Sequence, residues 1–156
     1  MNQSADNYFE SDRDAVALLV DEDTDYLESI RKLIQGFGYT VHACNSYAEG
    51  IRQMESGAFD IIFVGQGSRN FEGRCVLECA TAFDRRLPVV VVARHVEMGC
   101  YLEAMQLGAV DYISPGVLGA ELAGVMRTHA RHHLRRSGRA EPERSSGDTS
   151  SSRLIA

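Results

Sequence analysis

The sequence predicts an α/β protein built on a single five-stranded parallel sheet with helices on both faces. Short apolar runs alternate five times with amphipathic helical stretches, and strands spaced by helices of this length pair in parallel through right-handed crossovers. The runs at 15–20 (AVALLV) and 88–93 (PVVVVA) are continuous rather than alternating, as strands buried on both faces are. The charged and small residues cluster just after the apolar runs, where such a sheet exposes its carboxyl ends.

Each element follows from local chemistry. Residues 15–20 form the first strand and end in Asp21, Glu22 and Asp23. Thr24 is the expected cap of a helix whose Leu27, Ile30, Leu33 and Ile34 share one face, with Gly36 near its end. Residues 39–44 (YTVHAC) make the second strand. Ser46-x-x-Glu49 reads as a capping box opening a helix through Met54, which Gly57 stops. Residues 59–64 form the third strand and run into the loop Gly65-Gln66-Gly67-Ser68-Arg69-Asn70, followed by a helix over 73–83. Four successive valines after Pro88 make the fourth strand. A helix over 96–107 closes on Gly108, residues 110–113 give the fifth strand, and a fifth helix runs from 117 to 136.

Composition sets the organisation. The chain has 156 residues, 44% of them hydrophobic, enough for one domain with a full core. Residues 1–13 are polar and acidic, unlike a secretory signal, and read as a flexible leader; residues 14–136 are the domain. Residues 137–156 are rich in Ser, Gly, Glu, Pro and Arg, cannot build a core, and are expected to be disordered. With no apolar run long enough to span a bilayer, a cytoplasmic protein is expected. Residues 1–120 carry a net charge of −9 and residues 121–156 a net of +3, so the folded body is a poor partner for nucleic acid. Cys44, Cys75, Cys79 and Cys100 show no metal-binding spacing, and Cys75 and Cys79 are expected to be core or half-buried.

An open parallel sheet binds its ligands outside the carboxyl ends of the strands, which here means residues 21–23, 65–68, 93–95 and 114–116. Leu18-Leu19-Val20-Asp21-Glu22-Asp23, Phe59-Asp60 with the hydrophobic run on to Gly73, and Ala104-x-x-x-Gly108-Ala109-x-Asp111-Tyr112 together resemble the receiver domain of two-component response regulators, over about residues 15–134. The resemblance implies the flavodoxin-like (βα)5 fold, a three-layer arrangement with strand order 2-1-3-4-5. It also implies a site. Gly65 falls where the family carries its phosphoacceptor aspartate, Ala93 where it carries Ser or Thr, and Pro115 where it carries lysine; Lys32, the sole lysine, lies in the first helix. Asp21 and Glu22 match the acids that help hold magnesium. Tyr112 matches the aromatic switch position, and the face of fourth helix, fifth strand and fifth helix, with Arg127, matches the surface used for dimers or partners.

Glycine has no side chain to carry a phosphate. Phosphoryl transfer needs a nucleophilic oxygen, a metal, and cations or donors on the equatorial oxygens. The expectation is therefore a degenerate, or pseudo-, receiver: no enzyme, no cofactor beyond weakly held magnesium, and a phosphorylation-independent protein-interaction module. Two alternatives stand beside it. One is a domain binding a small ligand, nucleotide or flavin, through its glycine loop, although the loop matches neither GxGxxG nor a P-loop. The other is a response regulator phosphorylated at a non-standard residue. Losing the aspartate, hydroxyl and lysine together predicts an open and more apolar strand-end crevice. It also leaves three adjacent acids with no lysine to balance them.

Overall fold

The computed structural model describes residues 14–114 and 118–137, with side chains of the last helix as far as Thr128. The expected leader at 1–13, the expected tail beyond Ser137, and Pro115 all lie outside the described residues.

The elements run β1 (Val16–Val20), α1 (Thr24–Gly36), β2 (Thr40–Cys44), α2 (Tyr47–Ser56), β3 (Ile61–Gly65), α3 (Arg74–Phe83), β4 (Val89–Val92), α4 (Met98–Gln106), β5 (Asp111–Ile113) and α5 (Leu118–Ser137). All four strand pairings are parallel and the sheet order is β2-β1-β3-β4-β5, as expected. Every residue of β3 and β4 is buried, which explains their unbroken apolar runs. The edge strand β2 buries Cys44 and leaves Thr40, His42 and Ala43 exposed.

Alternation along the strands divides the core into two layers. Leu18, Val20, Ile62, Val64, Val89 and Val91 face Met54 of α2, Val76, Leu77 and Ala80 of α3, and Ala104 of α4. Ala17, Leu19, Ile61, Phe63, Val90 and Val92 face Leu27, Ile30 and Ile34 of α1 and Leu122, Val125 and Met126 of α5. The register sets Leu19 beside Phe63 and Phe63 beside Val90, so one row of side chains crosses the sheet under α1 and α5.

Several local expectations need correction. Asp23, not Thr24, caps α1: its backbone is extended and its Oδ1 accepts the N–H of Tyr26 at 2.9 Å. Leu33 lies at the edge of the α1 stripe and is exposed. Ser46 caps α2 by accepting the Glu49 N–H at 3.2 Å, but the Glu49 carboxylate turns to Arg52 and Gln53 rather than closing the box. Cys75 is exposed, against expectation, whereas Cys79 is half-buried as expected. Gly108 does end α4 with a positive φ of 101°, as expected of a helix-terminating glycine. Among the described residues, no helix is long and apolar enough to cross a membrane.

Candidate functional site

The parallel register brings the ends of β1, β3 and β4 side by side and so gathers Asp21, Gly65 and the Ala93–Arg94 pair. Val20 sits beside Val64, and Gly65 beside Val92, so the residues leaving these strands surround one small volume. The site subdivides into an acidic half over β1 and a hydrogen-bonded half reaching β5.

In the acidic half Asp21 is buried, only 2% exposed. Its Oδ1 accepts the Asp23 N–H at 2.8 Å, and its Oδ2 and Cγ fill the space beside Gly65, where an added Cβ would overlap Oδ2 and lie 2.7 Å from Cγ. Arg94 reaches over from β4. Its Nη1 donates to Asp23 Oδ2 at 2.5 Å, its Nη2 stands 3.8 Å from Asp21 Oδ1, and its guanidinium carbon lies 5.4 Å from the centre of the Tyr26 ring. Burial pushes the Asp21 carboxyl above its ordinary range, with the Asp23 N–H and Arg94 acting against it. Asp23 moves the other way: the Tyr26 N–H it accepts, and then Arg94, hold it below the usual carboxylate range. Glu22, on the same turn, is exposed.

The second half is organised by Gln66, whose side chain is 1% exposed. Its Nε2 donates to the Ser68 carbonyl at 3.3 Å, and its Oε1 accepts the hydroxyl proton of Tyr112. The Glu97 N–H donates in turn to the Tyr112 oxygen at 3.3 Å, and the Tyr101 ring meets Tyr112 edge-on at 5.5 Å. Tyr112 is therefore half-buried, its hydroxyl tied to the β3–α3 loop rather than turned to solvent. Ala93, fully buried beneath, supplies no polar atom of its own side chain. Arg127 lies on the exposed side of α5, away from this pocket's contacts.

The expected open, apolar crevice is not what forms. Asp21 collapses into the space beside Gly65, and Arg94 brings a cation that sequence spacing did not point to. The glycine loop is also built rather than slack. Phe71 is buried with a positive φ of 53°, a conformation uncommon for a residue of its bulk. Glu72 accepts the Ser68 N–H at 2.6 Å and the Ser68 hydroxyl. Tyr47 donates to the Gly65 carbonyl at 3.2 Å, and burial drives its phenol far above its ordinary value. Gly73 is required where it stands, since a Cβ there would overlap the Gly65 carbonyl oxygen and lie 3.0 Å from Val64 Cγ2.

A depression of about 360 Å³ remains at the surface, lined by Glu22, Tyr47, Gly67, Ser68, Glu72, Arg94 and His95. It is a poor anion cradle: two carboxylates line it, the Ser68 amide is already taken by Glu72, and Arg94 is paired. A divalent cation fits the inner donors no better. Magnesium needs near-octahedral oxygen ligation, whereas Asp23 commits both oxygens, to a backbone amide and to a guanidinium, and Asp21 commits Oδ1 to a backbone amide.

Comparison with known proteins points one way. The family model of the response regulator receiver domain matches residues 17–126. Among curated proteins, the transcriptional regulatory protein ZraR of Escherichia coli K12 is 26% identical over 96 residues, 62% of this chain and 22% of that protein. The response regulator protein TodT of Pseudomonas putida is 22% identical over 117 residues, 75% of this chain and 52% of that protein. The chain thus spans about half or less of the curated relatives it matches. Among solved structures, a CheY-like receiver domain protein from Methanospirillum hungatei superposes with a TM-score of 0.69 at 21% identity, over 78% of this chain and 98% of that one. A response regulator from Burkholderia pseudomallei, solved with a phosphorylated aspartic acid, calcium and citrate, gives a TM-score of 0.65 at 16% identity, over 83% of this chain and 76% of that one. At these identities the two structures speak for the fold alone.

Proposed function

Because this chain belongs to the response regulator receiver family, we propose that it is a degenerate receiver: a signalling module that acts through protein–protein contact and takes no phosphoryl group on an aspartate. The observation that carries the proposal is the position of Gly65. It is the last residue of β3, it offers no oxygen nucleophile, and the space beside it is occupied by Asp21. Ala93 supplies no hydroxyl and the nearest guanidinium is already engaged, so the donors that phosphoryl transfer demands are missing along with the nucleophile.

Receiver domains interact with proteins such as kinases, and the reading extends that habit to a chain without the chemical switch. The inward Tyr112, held by Gln66 and by the Glu97 amide, supports a face of α4, β5 and α5 fixed in one arrangement. A ligand shifts such an equilibrium only by preferring one state, and with one state built in, binding follows concentration. Met98, Tyr101, Leu102 and Met105 are exposed along α4, and Arg127 is exposed on α5, so this face offers apolar surface to a protein partner, including a second copy of the chain. On this reading the domain is no enzyme, holds no cofactor, works in the cytoplasm and leaves nucleic acid alone.

Incubation with acetyl phosphate followed by intact-mass measurement tests the proposal. The expected spectrum shows no phosphorylated species. A phosphoryl adduct labile to hydroxylamine would sink it, and mapping that adduct would establish a non-standard acceptor.

A further inference from the structure

The family's chemistry calls for a divalent cation among the strand-end acids, and the donors here do not suit one. We infer that Arg94 is a resident cation, standing in for a metal at Asp21 and Asp23 and clamping the loop after β4 to the loop after β1. The inference deepens the proposed function and rests on the same pocket, but its test reads cation binding and loop protection rather than phosphorylation, so either can fail alone.

The geometry is that of a completed ion site. Asp23 divides its oxygens between a helix-starting amide (Oδ1 to Tyr26 N, 2.9 Å) and the guanidinium (Oδ2 to Arg94 Nη1, 2.5 Å). Asp21 gives Oδ1 to the Asp23 amide at 2.8 Å, with Arg94 Nη2 at 3.8 Å, and lays Oδ2 beside Gly65. A carboxylate at position 65 would contest that space. The glycine there and the arginine at 94 are complementary: one offers no negative ligand and leaves room for Asp21, the other supplies positive charge to Asp21 and Asp23. Guanidinium suits the role because it is planar, permanently charged and able to serve two carboxylates while its face rests on an aromatic ring. Tyr26 provides that ring.

The clamp also has mechanical reach. Arg94 and Asp23 are 71 positions apart, and three residues beyond Arg94 the Glu97 amide holds Tyr112. A cation on this segment therefore anchors the start of α4. A metal-dependent site would loosen when the ion leaves, whereas a covalently attached cation is always present.

Manganese(II) is the probe. Its binding is followed by electron paramagnetic resonance for the wild type, Arg94→Gln, and Arg94→Gln combined with Asp21→Asn, with amide hydrogen exchange measured over residues 94–97. The wild type should show no saturable binding at millimolar manganese. Arg94→Gln should bind at least about tenfold more tightly, because two or three acids lose their counter-charge, and the double variant should lose that gain. Exchange over 94–97 should accelerate in Arg94→Gln and slow again when manganese is added, a rescue that a merely structural arginine would not give. Equal manganese binding by wild type and Arg94→Gln, or no rescue by the ion, overturns the inference. If Arg94→Gln does not fold, Arg94→Lys decides: it should exclude manganese yet protect residues 94–97 less than the wild type. Manganese binding by that lysine variant, or wild-type protection in it, would overturn the inference.

Discussion

At the amino end of the sheet, Asp60 places its carboxylate on the N–H of Val16 at 2.7 Å; at the carboxyl end, Asp21 places its own on the N–H of Asp23 and faces a guanidinium. Both acids flank the β1–β3 pair, yet they do different work. Asp60 joins the start of β1 to the segment entering β3 and completes hydrogen bonding that a strand end would otherwise leave open. Asp21 is buried next to two more acids and depends on a charge brought from 71 positions beyond Asp23. The amino end is closed by the backbone's own needs, and the carboxyl end by compensation for an ion site. That difference separates an end held by hydrogen bonds the strands themselves require from an end held by a long-range side-chain ion pair.

The largest effect is expected where the carboxyl end is most tightly packed. Gly73→Ala drives a methyl into the Gly65 carbonyl and should cost about 3 kcal/mol in urea unfolding, at the upper end for overpacking. A silent substitution would mean that this end is looser than the amino end and would reverse the comparison. Asp60→Ala comes next. Removing a charged acceptor from a backbone amide should cost about 2 kcal/mol in the same measurement.

The smallest effect carries opposite sign. Burial raises Asp21 above its unfolded value, so its contribution favours the fold fully below about pH 4 and is lost as pH rises through the raised folded value. Asp21→Asn should remove that loss and leave the protein slightly more stable than wild type near neutral pH. Asp23 behaves inversely: its contribution is present above about pH 4 and disappears as pH falls through its lowered folded value. Urea midpoints collected across the acid range for the wild type and Asp21→Asn check the sign. A neutral-pH loss of stability in Asp21→Asn would show that the pairing with Arg94 outweighs the burial.

The fold was legible because its signals are local and redundant. Four valines in a row, Gly108 after a helical stretch and Ser46 before one each fix an element without knowledge of the rest. The cap of α1 slipped by one residue because Asp and Thr are both capping residue types, and only the extended backbone at Asp23, whose side chain takes the Tyr26 N–H, decides between them. Leu33 has helical spacing but sits at the rim of a stripe that three residues already fill. The positions of Gly65, Ala93 and Asp21 in the site were also legible, since each immediately ends or follows an apolar run. The filling of the site was not. The pairing of Arg94 with Asp23 spans three crossovers, and nothing beside Arg94 says which way its long side chain folds. Gln66 gave no periodic signal either: a buried glutamine becomes intelligible only once Tyr112 and the Ser68 carbonyl are placed around it.

The sheet stops at β5, three residues long, with Asp111 exposed at its start. So short a border, beginning on a charge, gives a neighbouring backbone little to pair with, which is how natural sheets avoid growing by strand addition. Copies of this domain that meet on the α4 side must therefore do so through side chains of the helices. Where such a contact uses the same face on both copies, it closes as a symmetric pair instead of propagating as a fibre. A receiver domain bordered this way can reach high concentration without that edge becoming a seed for polymerisation.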